Sequence, residues 1–152
     1  SLTIFENIAV PLTLQKLPPK KIESMIRNLA KSFGIDAQLD KYPGELSGGQ
    51  RQRASALRAI VKHPGILFAD EPTGALDSSS ATDLLNTLKE SNERLHTTIL
   101  MVTHDAYAAS FADRILIFKD GCIIQELLKQ NADRRAFYES IAQTTAKLDT
   151  ER

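Results

Sequence analysis

The stretch GELSGGQRQRASALRAI, residues Gly44–Ile60, sets two glycines at the start of an otherwise strong helical pattern. Ser47 and Gln50 have the spacing of a capping box, with the serine as N-cap and the glutamine three residues on, so Gly48 and Gly49 fall at the first two helical positions. Each glycine costs about 1 kcal/mol relative to alanine in a helix interior and less at an end. From Gln50 onward, Ala54, Leu57, Ile60 and Val61 recur on one side while Arg51, Arg53 and Arg58 fall elsewhere. Two readings fit the glycines. Bare backbone N–H groups beside a serine hydroxyl, with no Cβ in the way, form an anion site of the kind that takes phosphate. Alternatively, the helix is simply capped and the glycines permit a tight turn.

The totals narrow the classes. A chain of 152 residues is the size of one domain and buries roughly two-thirds of its unfolded surface. With 19 basic and 19 acidic residues the net charge is zero, which gives no electrostatic case for a nucleic-acid partner. Cys122 is the single cysteine, so no internal disulfide forms and a reducing compartment fits; its place in an expected strand reads as a small core residue. No apolar run reaches bilayer length and no signal core stands at the N-terminus. The expectation is a soluble, intracellular-type polypeptide, with any membrane-spanning helices supplied by another chain.

Elsewhere the texture divides. Up to about Tyr42 the chain reads as helical: Ile22, Met25, Ile26, Leu29, Ala30 and Phe33 make a buried stripe ended by Gly34, with proline near the helix start in LPPKK (Leu17–Lys21). After Ile60 come three continuous apolar runs, ILFA (Ile66–Ala69), TILMV (Thr98–Val102) and ILIF (Ile115–Phe118), which suggest strands covered on both faces, as in a parallel sheet. Ala81, Leu84, Leu85 and Leu88 predict a crossover helix between the first two, and a shorter helix near Ala106–Phe111 joins the second and third. Asp120-Gly121 predicts a tight hairpin. From Asn131 onward, Phe137, Ile141 and Leu148 share one face of a terminal helix expected to pack on the body or on a partner.

The chemistry gathers at strand ends. Asp70 and Glu71 directly follow a buried apolar run, where ligands of open α/β sheets bind. Adjacent carboxylates there are costly unless something positive needs them. An aspartate at such an end suits magnesium, which takes one or two carboxylates plus phosphate oxygens, and the next carboxylate is placed to polarise a water. The plainer reading is a polar loop entry closed by Pro72 and Gly74, with Asp77 capping the next helix. His104, in TILMVTHD, also follows a strand; alone it is more often structural than catalytic. His63 and His96 read as exposed.

LSGGQ (Leu46–Gln50), then ILFADEP (Ile66–Pro72), GALD (Gly74–Asp77) and the histidine of VTHD (Val102–Asp105) resemble the ATP-binding-cassette ATPases in order and spacing, from Ser1 to about Leu127. The resemblance implies a partial P-loop NTPase fold of the α/β class: helical subdomain at 1–46, signature helix and second half of the parallel-sheet core at 47–127, and C-terminal helix at 128–152. It implies that Ser47, Gly48 and Gly49 contact the γ-phosphate of ATP held by an opposing subunit, with Gln50 and Asp77 in the same nucleotide-binding set. It further implies that Asp70 acts on Mg2+, that Glu71 is the general base, that His104 contacts the γ-phosphate and that Asp77 lies at the dimer interface. The implied partners are a second ATPase domain and an integral membrane permease, with no nucleic acid, at the cytoplasmic face of the membrane. The chain contains no G-x-x-x-x-G-K-[ST], and SLTIFENIAVPL resembles the stretch just after the family's Q-loop. A fragment, inactive alone, is therefore expected. Gly74-Ala75 within DEPTGALD resembles the subunits of lipoprotein-release and bacitracin-type exporters. The alternatives are a non-transport cassette ATPase of translation or DNA repair, and a docking fragment without chemistry.

Overall fold

The computed structural model describes residues 1–150. They divide into two compact units, Ser1–Leu100 and a second from Met101 on.

The first unit is built on helix stripes. Helix α1 (Ile4–Leu14) begins with a capping box in which Thr3 Oγ1 accepts from the Glu6 N–H and the Thr3 N–H donates to the Glu6 carboxylate. Its next free donors are also met: the Ile4 and Phe5 N–H groups donate to the carbonyls of Lys41 and Leu39. Helix α2 (Pro19–Ser32) has proline at its first position and turns Ile22, Ile26 and Ala30 inward. Gly34 ends it at φ +61°, a conformation that favours glycine. Helix α3 (Gly48–Ile60) buries Ala54, Leu57 and Ile60, followed by Val61, as the spacing predicts. These residues join Ile8, Leu12, Ile26, Phe33, Ile35 and Leu39 in one core.

Strand β1 (Ile66–Asp70) follows, then helix α4 (Ser78–Leu95), which buries Ala81, Leu84, Leu85 and Leu88 as expected, and then strand β2 (Thr98–Val102), paired with β1. The return from α4 is fixed by Thr97, fully buried, whose hydroxyl donates to the Pro64 carbonyl at 2.8 Å while its own carbonyl accepts from Asn92. His96 closes α4 in the left-handed region, and both it and His63 are exposed.

Two expectations about the strands need correcting. They do not lie under cover on both faces: Leu67 joins the core, but Ile66 is 57% and Phe68 73% exposed. Within this chain Leu67 packs with Leu57 and Ile60 of α3 and Leu84 and Leu88 of α4. Nor does the third apolar run extend the first sheet. Strand β3 (Arg114–Lys119) pairs instead, antiparallel, with β4 (Cys122–Leu128). The turn explains the choice, since Asp120 and Gly121 both take positive φ, +50° and +79°, as a tight hairpin requires. Cys122 lies in a strand but is exposed rather than in the core, because it stands beside that turn.

In the second unit helix α5 (Ala106–Ala109) is capped by Asp105, which accepts from the Tyr107 N–H, and it stops short of the expected Phe111. The terminal helix α6 (Arg134–Thr150) starts later than position 128, because Leu128 belongs to β4. Phe137 and Ile141 of α6 are buried along with Ala108 and Phe111, and the Arg134 guanidinium lies 4.7 Å from the Phe111 ring centre. Helix α6 thus packs on α5 within the second unit. Among the described residues no helix is long and apolar enough to cross a membrane.

Candidate functional site

The start of α3 forms as its local sequence dictates. Leu46 is buried and anchors the approach, and Ser47 takes the extended backbone of an N-cap. Its hydroxyl accepts from the Gln50 N–H at 3.2 Å, and the Gln50 side chain accepts from the Ser47 N–H at 3.0 Å. The capping box is thus complete, and the Gly48 and Gly49 N–H groups remain as the helix-start donors.

The glycines differ in what surrounds them. A Cβ on Gly49 would stand 2.6 Å from Leu76 Cδ2, closer than real Cβ contacts come, whereas one on Gly48 would meet only Ala75, at 3.9 Å. The GALD segment therefore packs on the opening turn of α3, and a Cβ at Gly49 would oblige the Leu76 side chain to shift. Gly48 is free of it, so close packing within the chain explains one glycine and not the other.

Beyond β1 the chain turns sharply. Asp70 is exposed at the strand end, and Glu71, half-buried, sits at φ +42°, a left-handed conformation that costs a non-glycine residue on the order of 1–2 kcal/mol. Its carbonyl accepts two hydrogen bonds, from the Gly74 N–H at 3.1 Å and from the Gln52 side-chain amide, also at 3.1 Å. Pro72 and Thr73 are buried beneath the turn. Gln52, on α3, is a residue that sequence reasoning missed. Its partner lies nineteen positions away and no local pattern announces such a contact.

Asp77 caps α4, accepting from the Ser80 N–H at 3.0 Å and the Ser80 hydroxyl at 2.8 Å. The Ser80 backbone bond, then its hydroxyl, holds this carboxyl below the ordinary aspartate value. The cap is therefore fully present above the ordinary value and is lost as pH falls through the lowered one.

Within the first unit the structure brings together the Ser47–Gln50 helix start, the Asp70–Glu71 strand end and the Gly74–Asp77 segment. His104 belongs to the second unit, exposed, two residues past β2 and next to the capping Asp105. No group of three or more metal-ligating side chains occurs among the described residues. Magnesium does not require such a group, since it takes one or two carboxylates together with phosphate oxygens and water. Asp70 fits that part.

Known proteins resemble this chain in sequence and in fold. A family model of the ABC transporters matches residues 1–74. Bacitracin export ATP-binding protein BceA of Halalkalibacterium halodurans is 49% identical over 97% of this chain, and the ABC transporter ATP-binding protein YvcR of Bacillus subtilis, itself uncharacterized, is 47% identical over the same share. The chain spans 58% and 57% of the length of these two relatives. A solved structure of the ATP-binding cassette MJ0796, a dimer in a post-hydrolysis state bound to ADP and Pi, superposes with a TM-score of 0.77 at 33% identity. That match covers 86% of this chain and 58% of that one. Likeness of this extent, in sequence and backbone alike, settles the fold class as that of P-loop ATPase cassettes, and the chain belongs to the ATP-binding-cassette transporter ATPases.

Proposed function

We propose that this chain supplies the helical subdomain and second half of the core to an ATPase subunit that drives a membrane exporter of peptide or lipoprotein-type substrates. The intact subunit hydrolyses MgATP between two such domains set head to tail, and is held peripherally at the cytoplasmic face of the membrane by a permease. The observation that carries this reading is the pairing, in one unit, of a capped, glycine-opened helix start with a strand-end carboxylate pair. The first is a donor set for phosphate, and the second provides a metal ligand and a base. Similarity to BceA favours the export branch.

In this reading Asp70 holds Mg2+, which neutralises phosphate charge when bound. Glu71 takes a proton from the attacking water as that water's oxygen bonds to the γ-phosphorus and the bond to ADP breaks. His104 donates to the γ-phosphate. Ser47, Gly48, Gly49 and Gln50 serve the nucleotide on the opposing subunit, and Asp77 stands at the interface between subunits. This chain holds no phosphate-cradling G-x-x-x-x-G-K-[ST].

The test is Glu71→Gln in the intact protein. Hydrolysis should fall by about two to four orders of magnitude with ATP binding retained. Turnover at the wild-type rate would overturn the assignment of the base.

A further inference from the structure

We propose that Gln52 is a positioning residue for Glu71, its side-chain amide holding the backbone turn that aims the carboxylate. The proposal rests on the reading of Glu71 as base.

Three observations carry it. Glu71 occupies a left-handed conformation that persists only where surrounding structure imposes it, and the Gln52 amide donates to its carbonyl. The Gln52 oxygen is buried and without a hydrogen-bond partner among the described residues, which fixes the amide's orientation: turned over, it would set oxygen against the Glu71 carbonyl. An apolar side chain of the same length would fill the same space and lack only the donor. Glutamine here is explained by what its N–H₂ holds. The same side chain lines a cavity of about 250 Å³ with Asp70 and Pro72, so it borders the metal-binding carboxylate as well as the turn.

The experiment is a double-mutant cycle on steady-state ATP hydrolysis by the intact protein, using Gln52→Met, Glu71→Gln and the pair. Gln52→Met keeps length and volume and removes the donor. Its kcat should fall about tenfold to a hundredfold with KM for ATP and the thermal midpoint unchanged, as expected for a misaimed base. In the Glu71→Gln background, where no base remains to aim, it should cause no further loss. Gln52→Glu is the second variant: it matches glutamine in shape and regains a donor when protonated, so its activity relative to wild type should rise as pH falls. Unchanged kcat in Gln52→Met, an equal loss in both backgrounds, or a flat pH ratio for Gln52→Glu would overturn the proposal. Wild-type turnover by Glu71→Gln would remove the base itself and this proposal with it, so the two failures are distinguishable.

Discussion

The helix start at Ser47 and the turn at Glu71 lie in one unit and reach their conformations by different means. Ser47 and its glycines occupy ordinary backbone regions, and the capping bonds come from residues within the same short stretch. Glu71 stands in the left-handed region and its carbonyl is held partly by Gln52, a residue of another element. The helix start is therefore preformed by local rules. The end assigned to the base is strained and depends on tertiary support, the pattern found where a fold gives up stability for geometry.

Substitutions at each end sharpen this contrast. The largest effect is expected at the strained end, from Glu71→Gly. Glycine accepts φ +42° without penalty, so the intact protein should gain about 1 kcal/mol by denaturant unfolding while losing hydrolysis. A loss of stability would mean that the turn is not strained. At the relaxed end, Ser47→Ala removes the acceptor for the Gln50 N–H and should cost about 1 kcal/mol, read from the same titration. The smallest effect separates the two glycines. Gly49→Ala must displace Leu76 and should lower stability by a few tenths of a kcal/mol, roughly the cost of a modest rearrangement around one flexible side chain. Gly48→Ala makes only ordinary contact with Ala75, at 3.9 Å, and should leave stability unchanged or slightly higher, since alanine is the better helix former.

The same contrast marks what the sequence makes legible. The Ser47–Gln50 capping box, the α2 stripe ended by Gly34, the inner face of α4 and the Asp120-Gly121 hairpin all depend on spacings within a few residues. Each is found where the pattern placed it. The second capping box, at Thr3 and Glu6, obeys the same rule and carries the same signal. Long-range features are silent. The approach of Leu76 to Gly49 and the bond from Gln52 to Glu71 arise only when distant segments meet. Apolar runs likewise state that a segment prefers burial, not how many faces find cover. Phe68 lies mostly exposed, and β3 pairs across a tight turn with β4 instead of joining β2. The roles proposed for Ser47 and Glu71 rest on a family resemblance, because chemistry is a property of residues converging on a ligand rather than of periodicity.

The central claim is that the helix start at Ser47 serves a nucleotide held by an opposing subunit. Light scattering on the intact Glu71→Gln protein, with and without MgATP and with Ser47→Arg added, tests it most directly. The account predicts that MgATP doubles the mass of Glu71→Gln and that Ser47→Arg abolishes the doubling, because an arginine side chain fills the space in which the phosphate would approach the Gly48 and Gly49 N–H groups. An ATP-dependent dimer undiminished by Ser47→Arg would contradict it.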